Sequence, residues 1–128
     1  MTADQSLQPT KPELEILKLL WRRKNLSARE VAEELAEPLG WSHSTLRTVL
    51  ERMCEKGLLK KRAKDGVNVY AAAIGKVALL GRMIQDFTGR VLEIDAAPPA
   101  VLFAHSKLLT HDEVEELEKM LRDAESEE

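Results

Sequence analysis

The sequence predicts a mainly α-helical, α+β protein built in two parts. Three helices with clear N-terminal caps come first, and a short basic β-hairpin follows them. Helical periodicity then returns for the rest of the 128 residues. This length suits one domain with a modest appendage. We therefore expect an N-terminal domain over residues 1–73 and a helical C-terminal region over residues 74–128.

The first two helices are predicted from their capping boxes. Residues 10–13 and 27–30 each place a hydroxyl three positions before a glutamate, so that the two side chains can satisfy free backbone N–H groups at a helix start. Leucines at helical spacing follow the first box, and that helix is expected to end near Lys24. The second is expected to end near Gly40.

The third helix is predicted over residues 43–56, with Ser42 as its N-cap and Gly57 at its end. Its apolar positions follow the spacing of a helix that is buried along one side, namely Leu46, Val49, Leu50 and Met53. Two β-compatible runs, 58–64 and 67–72, then meet at Asp65-Gly66, a dipeptide typical of tight hairpins because both positions tolerate positive φ. Three helices followed by a hairpin is the element order of a winged helix-turn-helix, with residues 58–72 as the wing.

Charge is distributed unevenly along the chain. The net charge is −3, but residues 41–70 contain seven basic and three acidic side chains, a local excess of four positive charges. Residues 73–128 contain six basic and twelve acidic ones. Phosphate binding depends on the local concentration of positive charge, so the third helix and the hairpin are the candidate nucleic-acid surface.

The third helix and the hairpin supply the candidate DNA contacts. On the helix side opposite the apolar stripe lie hydroxyl and guanidinium groups, which can bond base edges and phosphates in a major groove. These candidates are Ser42, Ser44, Thr45, Arg47, Thr48 and Arg52, and Lys60, Lys61, Arg62 and Lys64 on the hairpin, where we expect the basic side chains to project outward together. The alternatives are a merely solvated helix face, and lysines that protect an edge strand from aggregation.

The C-terminal region carries apolar stripes that it is too small to bury alone, which predicts a homodimer. One stripe steps by three and four residues and continues to Ile94. A second follows another capping box at residues 110–113. The side chains expected at the dimer interface are Val77, Leu80, Ile84, Phe87, Val91, Val114, Leu117 and Leu121.

Several segments together resemble one family. They are residues 10–21 (TKPELEILKLLW), Val31-Ala32, residues 40–53 (GWSHSTLRTVLERM), Lys56-Gly57-Leu58 and Tyr70. This chain resembles the penicillinase and methicillin-resistance repressors of the BlaI/MecI type over nearly its whole length. The resemblance implies a homodimeric transcriptional repressor whose winged helices bind a palindromic operator. By motif position it places Trp41, Ser42, Ser44, Thr45, Thr48 and Arg52 at DNA, with Lys61 and Arg62 on the wing.

The resemblance also bears on regulation. In the lactamase branch of that family, a membrane sensor of β-lactams triggers cleavage at an Asn-Phe step in the C-terminal region. This chain has Leu102-Phe103 at the matching place, so it departs from the pattern and that mode of release stays open. Glu51 is a second departure, with two interpretations: it restrains Arg47 one turn away, or it accepts from a cytosine amino group.

Other classes of protein are not expected. The three histidines are scattered and Cys54 stands alone, so we expect no metal site, no cofactor and no enzyme. A single cysteine suits a reducing cytoplasm, and no apolar run is long enough to insert into a membrane. The main functional alternative is a winged helix that serves as a protein-binding adaptor without sequence-specific DNA binding.

Overall fold

The computed structural model describes residues 8–96 and 98–126. The chain divides into two compact units, Met1–Gly75 and Lys76–Glu128, two residues beyond the boundary expected from the sequence. The expected domain limits at residues 1 and 128 lie outside the described residues.

Three helices form the frame of the first unit: α1 (Lys11–Arg23), α2 (Ala28–Leu39) and α3 (His43–Glu55). The capping boxes predicted before α1 and α2 are both present. Ser42 caps α3 as predicted, because its Oγ accepts from the Thr45 N–H at 3.0 Å. The start of the helix that carries the candidate contacts is therefore held by its own side chains.

A three-stranded antiparallel sheet completes the first unit. It contains β1 (Leu26–Ser27), β2 (Leu59–Lys64) and β3 (Val67–Ala72) in the order β1-β3-β2. The hairpin turn is as predicted, with φ values of 54° at Asp65 and 80° at Gly66. The sequence gives no sign of β1, because two residues are too few to show an alternating pattern and Ser27 was identified only as a helix cap.

The core of the first unit lies between the three helices and the sheet. Its fully buried members include Ile16, Leu17, Val31, Leu46, Leu50, Met53 and Leu58. A hydrogen bond of 3.0 Å from Trp21 Nε1 to the Ile74 carbonyl oxygen ties the chain beyond β3 to α1. This arrangement of elements is a winged helix-turn-helix, as predicted.

The second unit has two principal helices, α4 (Lys76–Asp86) and α5 (His111–Ser126). Between them lie a π-helical turn (Phe87–Val91) and a 3-10 turn (Ala100–Phe103). Three of the residues expected to need a second copy of the chain, Val77, Leu117 and Leu121, are buried against each other inside this unit. The expectation that a single copy cannot bury its apolar residues is wrong for these three, because α4 and α5 pack against each other.

The predicted apolar stripe does not continue to Ile94 in one helix. The α-helix stops at Asp86, and the Thr88 hydroxyl donates to the Ile84 carbonyl oxygen at 3.0 Å. A threonine bonded in this way, followed by Gly89, favours a departure from α-helical geometry. Phe87, Val91 and Ile94 follow the last α-helical residue and are about half exposed, at 51%, 57% and 47%.

No helix over residues 8–96 and 98–126 combines the length and apolarity that crossing a membrane requires.

Candidate nucleic-acid interface

Helix α3 has one buried and one exposed side. Leu46, Leu50 and Met53 are fully buried against the core. The candidate contacts on the opposite side are all exposed: Ser44, Thr45, Arg47, Thr48 and Arg52. The apolar spacing therefore predicted the orientation of this helix correctly, and its hydroxyl and guanidinium groups are available to a ligand.

Hydrogen bonds within α3 orient two of these hydroxyls. The Ser42 hydroxyl donates to Thr45 Oγ1 at 3.0 Å, so the Thr45 proton can be directed to an acceptor such as a phosphate oxygen. The Thr48 hydroxyl donates to the Ser44 carbonyl oxygen at 3.1 Å, so it presents its methyl group and oxygen lone pairs outward. Those groups suit a thymine methyl or a base amino group.

Trp41 lies in the turn between α2 and α3 and is only partly exposed. Its backbone N–H donates to the Ala36 carbonyl oxygen at 2.9 Å, and Gly40 before it has a φ of 70°. This turn sets the position of the α3 N-terminus relative to α2. Trp41 thus belongs to the frame of the helix-turn-helix as well as to its surface.

The basic side chains of the wing divide between its two faces. Cross-strand partners share a face, and side chains alternate along a strand. The register pairs Lys61 with Tyr70, whereas Lys60 and Arg62 pair with Ala71 and Val69. Lys61 consequently lies on the face next to α3, and Lys60, Arg62 and Lys64 lie on the other. All four are exposed, as expected, but they do not project together, because side chains alternate along a strand.

Glu51 on α3 holds two wing residues. Lys61 Nζ donates to both carboxylate oxygens, at 2.9 and 3.1 Å, and the Tyr70 hydroxyl donates to Glu51 Oε2. Hydrogen bonds from Tyr70 and Lys61 hold the pKa of Glu51 below its ordinary value. Burial and the same hydrogen bond raise the pKa of Tyr70, which stays protonated. Among the ion pairs of the described residues, Glu51 pairs with Lys61. The interpretation that Glu51 restrains Arg47 is therefore not supported.

Sequence reasoning missed a further cation at this surface. Arg29 lies in the first turn of α2 and lines an open cleft together with Arg47. The same cleft is lined by three carboxylates, those of Glu30, Glu33 and Glu51. The Arg29 side chain is largely exposed and lies 3.6 Å from Glu33. The capping box at residues 27–30 was the signal, because it places Arg29 at a helix N-terminus, where backbone N–H groups favour an anion.

A family model described as "Penicillinase repressor" matches residues 9–123, which covers both units. The chain belongs to the penicillinase repressor family. The resemblance seen in the sequence is therefore confirmed.

Individual members of the penicillinase repressor family are distant from this chain but similar in length. The penicillinase repressor of Bacillus licheniformis is 27% identical over 111 residues, covering 87% of each chain. That of Staphylococcus aureus is 23% identical over 121 residues, covering 94% of this chain and 96% of its own. The methicillin resistance regulatory protein MecI of Mammaliicoccus sciuri is 25% identical over 109 residues, with 85% and 89% covered.

Among solved structures, the DNA-binding domain of the repressor BlaI is similar to this chain. It is 33% identical, with a TM-score of 0.49, and the match covers 54% of this chain and 84% of that domain.

The predicted interface residues of the second unit fall into three groups by exposure. Val77, Leu117 and Leu121 are buried, and Leu80, Ile84 and Val114 are partly exposed. Phe87 and Val91 remain open to solvent. At the matched cleavage position, Leu102 is 67% exposed, while Phe103 packs against the small core of this unit.

Proposed function

We propose that this chain is a transcriptional repressor that binds a palindromic operator as a homodimer. The observation that carries the proposal is the exposed side of α3, which presents Thr45, Arg47 and Thr48 next to a positively charged hairpin. Membership of the penicillinase repressor family supports the same function. The adaptor alternative has no comparable support, since it would leave this polar side and the local positive charge without a purpose.

The proposal assigns different tasks to the helix and to its surroundings. Arg47 and Thr48 are placed to bond base edges in a major groove, and these bonds select the sequence. Arg62, Lys60 and the N-termini of α2 and α3 are placed to bind phosphates, which supplies affinity without selecting sequence. Trp41, Ser42, Ser44 and Arg52 complete the proposed contact set.

Dimerisation is proposed to occur through the second unit. Phe87 and Val91 are large apolar side chains that this unit leaves about half exposed, and a second copy would cover them. Two winged helices would then occupy half-sites about one helical turn apart. Loss of this region, by cleavage near Leu102-Phe103 under a membrane sensor and protease system or by another signal, would release the operator. The proposal places the protein in the cytoplasm with its DNA.

The test begins with selection of bound sequences from a random DNA pool. We expect a palindrome, and a fall of log K with log salt at a slope near −7 if about eight phosphates are neutralised per dimer. Arg47→Ala should weaken the free energy of binding to the selected site by about 1–3 kcal/mol. Its affinity for random DNA should stay nearly the same.

Arg62→Ala is the matched control, since it removes the same charged group from the wing. It should weaken both DNAs to a similar degree and make the salt slope shallower by about 0.9 per subunit. A selection that returns no palindrome, or equal losses on both DNAs for both variants, would contradict the proposal.

A further inference from the structure

Both strands of the wing are attached to one carboxylate of the recognition helix. Lys61 on β2 and Tyr70 on β3 face each other across the hairpin, and both donate to Glu51. The wing has no other ion pair to α3 among the described residues. Glu51 is therefore placed to set the angle between the hairpin and α3.

The same contact changes what Lys61 can do. Its ammonium lies within 3.1 Å of both carboxylate oxygens, so its positive charge is compensated locally. To reach a phosphate, Lys61 would have to leave Glu51 and expose an uncompensated carboxylate beside the DNA backbone. Lys60 and Arg62 meet no such obstacle, because they lie on the opposite face of the hairpin.

A carboxylate on the exposed side of α3 also repels phosphate in its own right. Glu51 is partly exposed, with 42% of its side chain accessible, and Arg47 precedes it by one helical turn. Replacing Glu51 by a neutral side chain would remove one negative charge from this surface. Lys61, no longer paired with that charge, would be free to contact a phosphate.

Resting on the proposed DNA-binding function, we propose that Glu51 is a positioning residue that limits non-specific binding. It fixes the wing against the recognition helix through Tyr70 and keeps Lys61 away from the phosphates. The discrimination between operator and random DNA then depends on Glu51 although it makes no attractive contact with DNA.

The test uses Glu51→Gln in the full chain, because glutamine keeps the shape and one acceptor oxygen but loses the charge. Binding to random DNA and to the selected operator is measured by fluorescence anisotropy over a range of salt concentrations. Lys61→Met is prepared alone and together with Glu51→Gln. Glu55→Gln is the matched control, since it removes an exposed carboxylate from the same helix.

We expect Glu51→Gln to bind random DNA more tightly than Glu55→Gln does, and to discriminate less well between operator and random DNA. Its salt slope should be steeper by about 0.9 per subunit, the effect of one added phosphate contact. Lys61→Met alone should leave the slope nearly unchanged, because Lys61 makes no phosphate contact, although the uncompensated Glu51 should lower the affinity for both DNAs. In the Glu51→Gln background, Lys61→Met should restore the original slope. Tyr70→Phe should leave the slope unchanged, because Lys61 stays paired.

Either of two results would overturn this inference and leave the proposed function standing. One is a Lys61→Met protein whose slope becomes shallower by as much as that of Arg62→Ala. The other is a Glu51→Gln protein that binds random DNA more weakly than Glu55→Gln. A wild-type chain with no salt-dependent affinity for DNA would instead overturn the proposed function, and this inference with it. Thermal unfolding of each variant separates a loss of binding from a loss of folding.

Discussion

At the scale of single residues, Glu13 shows how one buried carboxylate serves two elements. It completes the capping box of α1 with Thr10, and it pairs with Lys56 at the end of α3, where the Nζ–Oε1 distance is 2.7 Å. Burial alone raises the pKa of Glu13, but the hydrogen bonds from Lys56 and from the Thr10 backbone outweigh it and hold the pKa below its ordinary value. Glu13 thus links the start of α1 to the end of α3.

This lowered pKa predicts a pH-dependent stability. A carboxylate with a lowered pKa in the folded state stabilises the fold above the unfolded pKa, here about 4.5, and that contribution is lost as the pH falls through the folded pKa. Glu13→Gln should therefore lower the free energy of unfolding by about 1.5–3 kcal/mol at neutral pH. The difference from the wild type should narrow below about pH 4.5, as measured by urea unfolding.

Glu15→Gln is the control, because Glu15 pairs with Lys18 at a more exposed position of the same helix. It should lower the free energy of unfolding by less than about 1 kcal/mol. A Glu13→Gln deficit that stays constant down to pH 3 would show that the charge of Glu13 does not stabilise the fold.

The sequence predicted which side chains of α3 face outward, because helical periodicity and burial decide that locally. It did not predict the partners of Glu51. Lys61 and Tyr70 lie 10 and 19 residues further along the chain, and only the register of the hairpin brings both to the same carboxylate. The division of the wing lysines between two faces could have been predicted, since alternation along a strand requires it.

At the scale of elements, α4 and α5 approach each other closely at Gly81. A Cβ atom at this position would lie 2.6 Å from Met120 Sδ and 3.3 Å from Leu117 Cδ1. Gly81 therefore leaves room for the Met120 thioether and a Leu117 methyl group beside α4. From the sequence alone, a glycine at this helical position indicates only a weakened helix.

Alanine substitutions should separate these two effects. Gly81→Ala forces mainly the flexible thioether end of Met120 to move, so the overpacking should largely cancel the gain in helix propensity and change the free energy of unfolding by less than about 1 kcal/mol. Gly89→Ala is the control, because a Cβ there meets nothing within 4 Å, and it should stabilise by about 0.4–1 kcal/mol. Thermal unfolding of the full chain measures both, and equal midpoints for the two variants would exclude a packing role for Gly81.

The elements that the sequence predicted well are those with local signals. The capping boxes at residues 10–13, 27–30 and 110–113 all form, because their partners are three residues apart. Strand β1 forms by pairing with β3, some forty residues away, and no local sequence pattern predicts it. The end of α4 depends on the hydrogen bond of the Thr88 hydroxyl and on Gly89. The spacing of apolar residues does not reveal their combined effect.

At the scale of the whole molecule, the proposed dimer predicts a link between assembly and DNA affinity. Phe87→Glu places a charge on an exposed apolar side chain of the second unit. If Phe87 lies in the dimer interface, the variant should sediment as a monomer at micromolar concentration. Its affinity for the operator should fall by several kcal/mol, because one half-site is lost at about 1–3 kcal/mol for each base pair no longer contacted.

Ala78→Glu is the control, since it adds the same charge at an exposed position of α4. It should leave both the sedimentation coefficient and the operator affinity unchanged. A Phe87→Glu protein that remains dimeric would move the interface away from the π-helical turn.

The hydrogen bond from Trp21 to the Ile74 carbonyl oxygen has a consequence for how such a repressor could be switched off. It anchors the last residues of the DNA-binding unit, so a cut further along the chain would leave that unit folded. In the proposed dimer, such a cut would remove the region that keeps the second DNA-binding unit near its half-site at high effective concentration. Inactivation would then be a loss of avidity, and the cleaved DNA-binding units at high concentration would still occupy the operator.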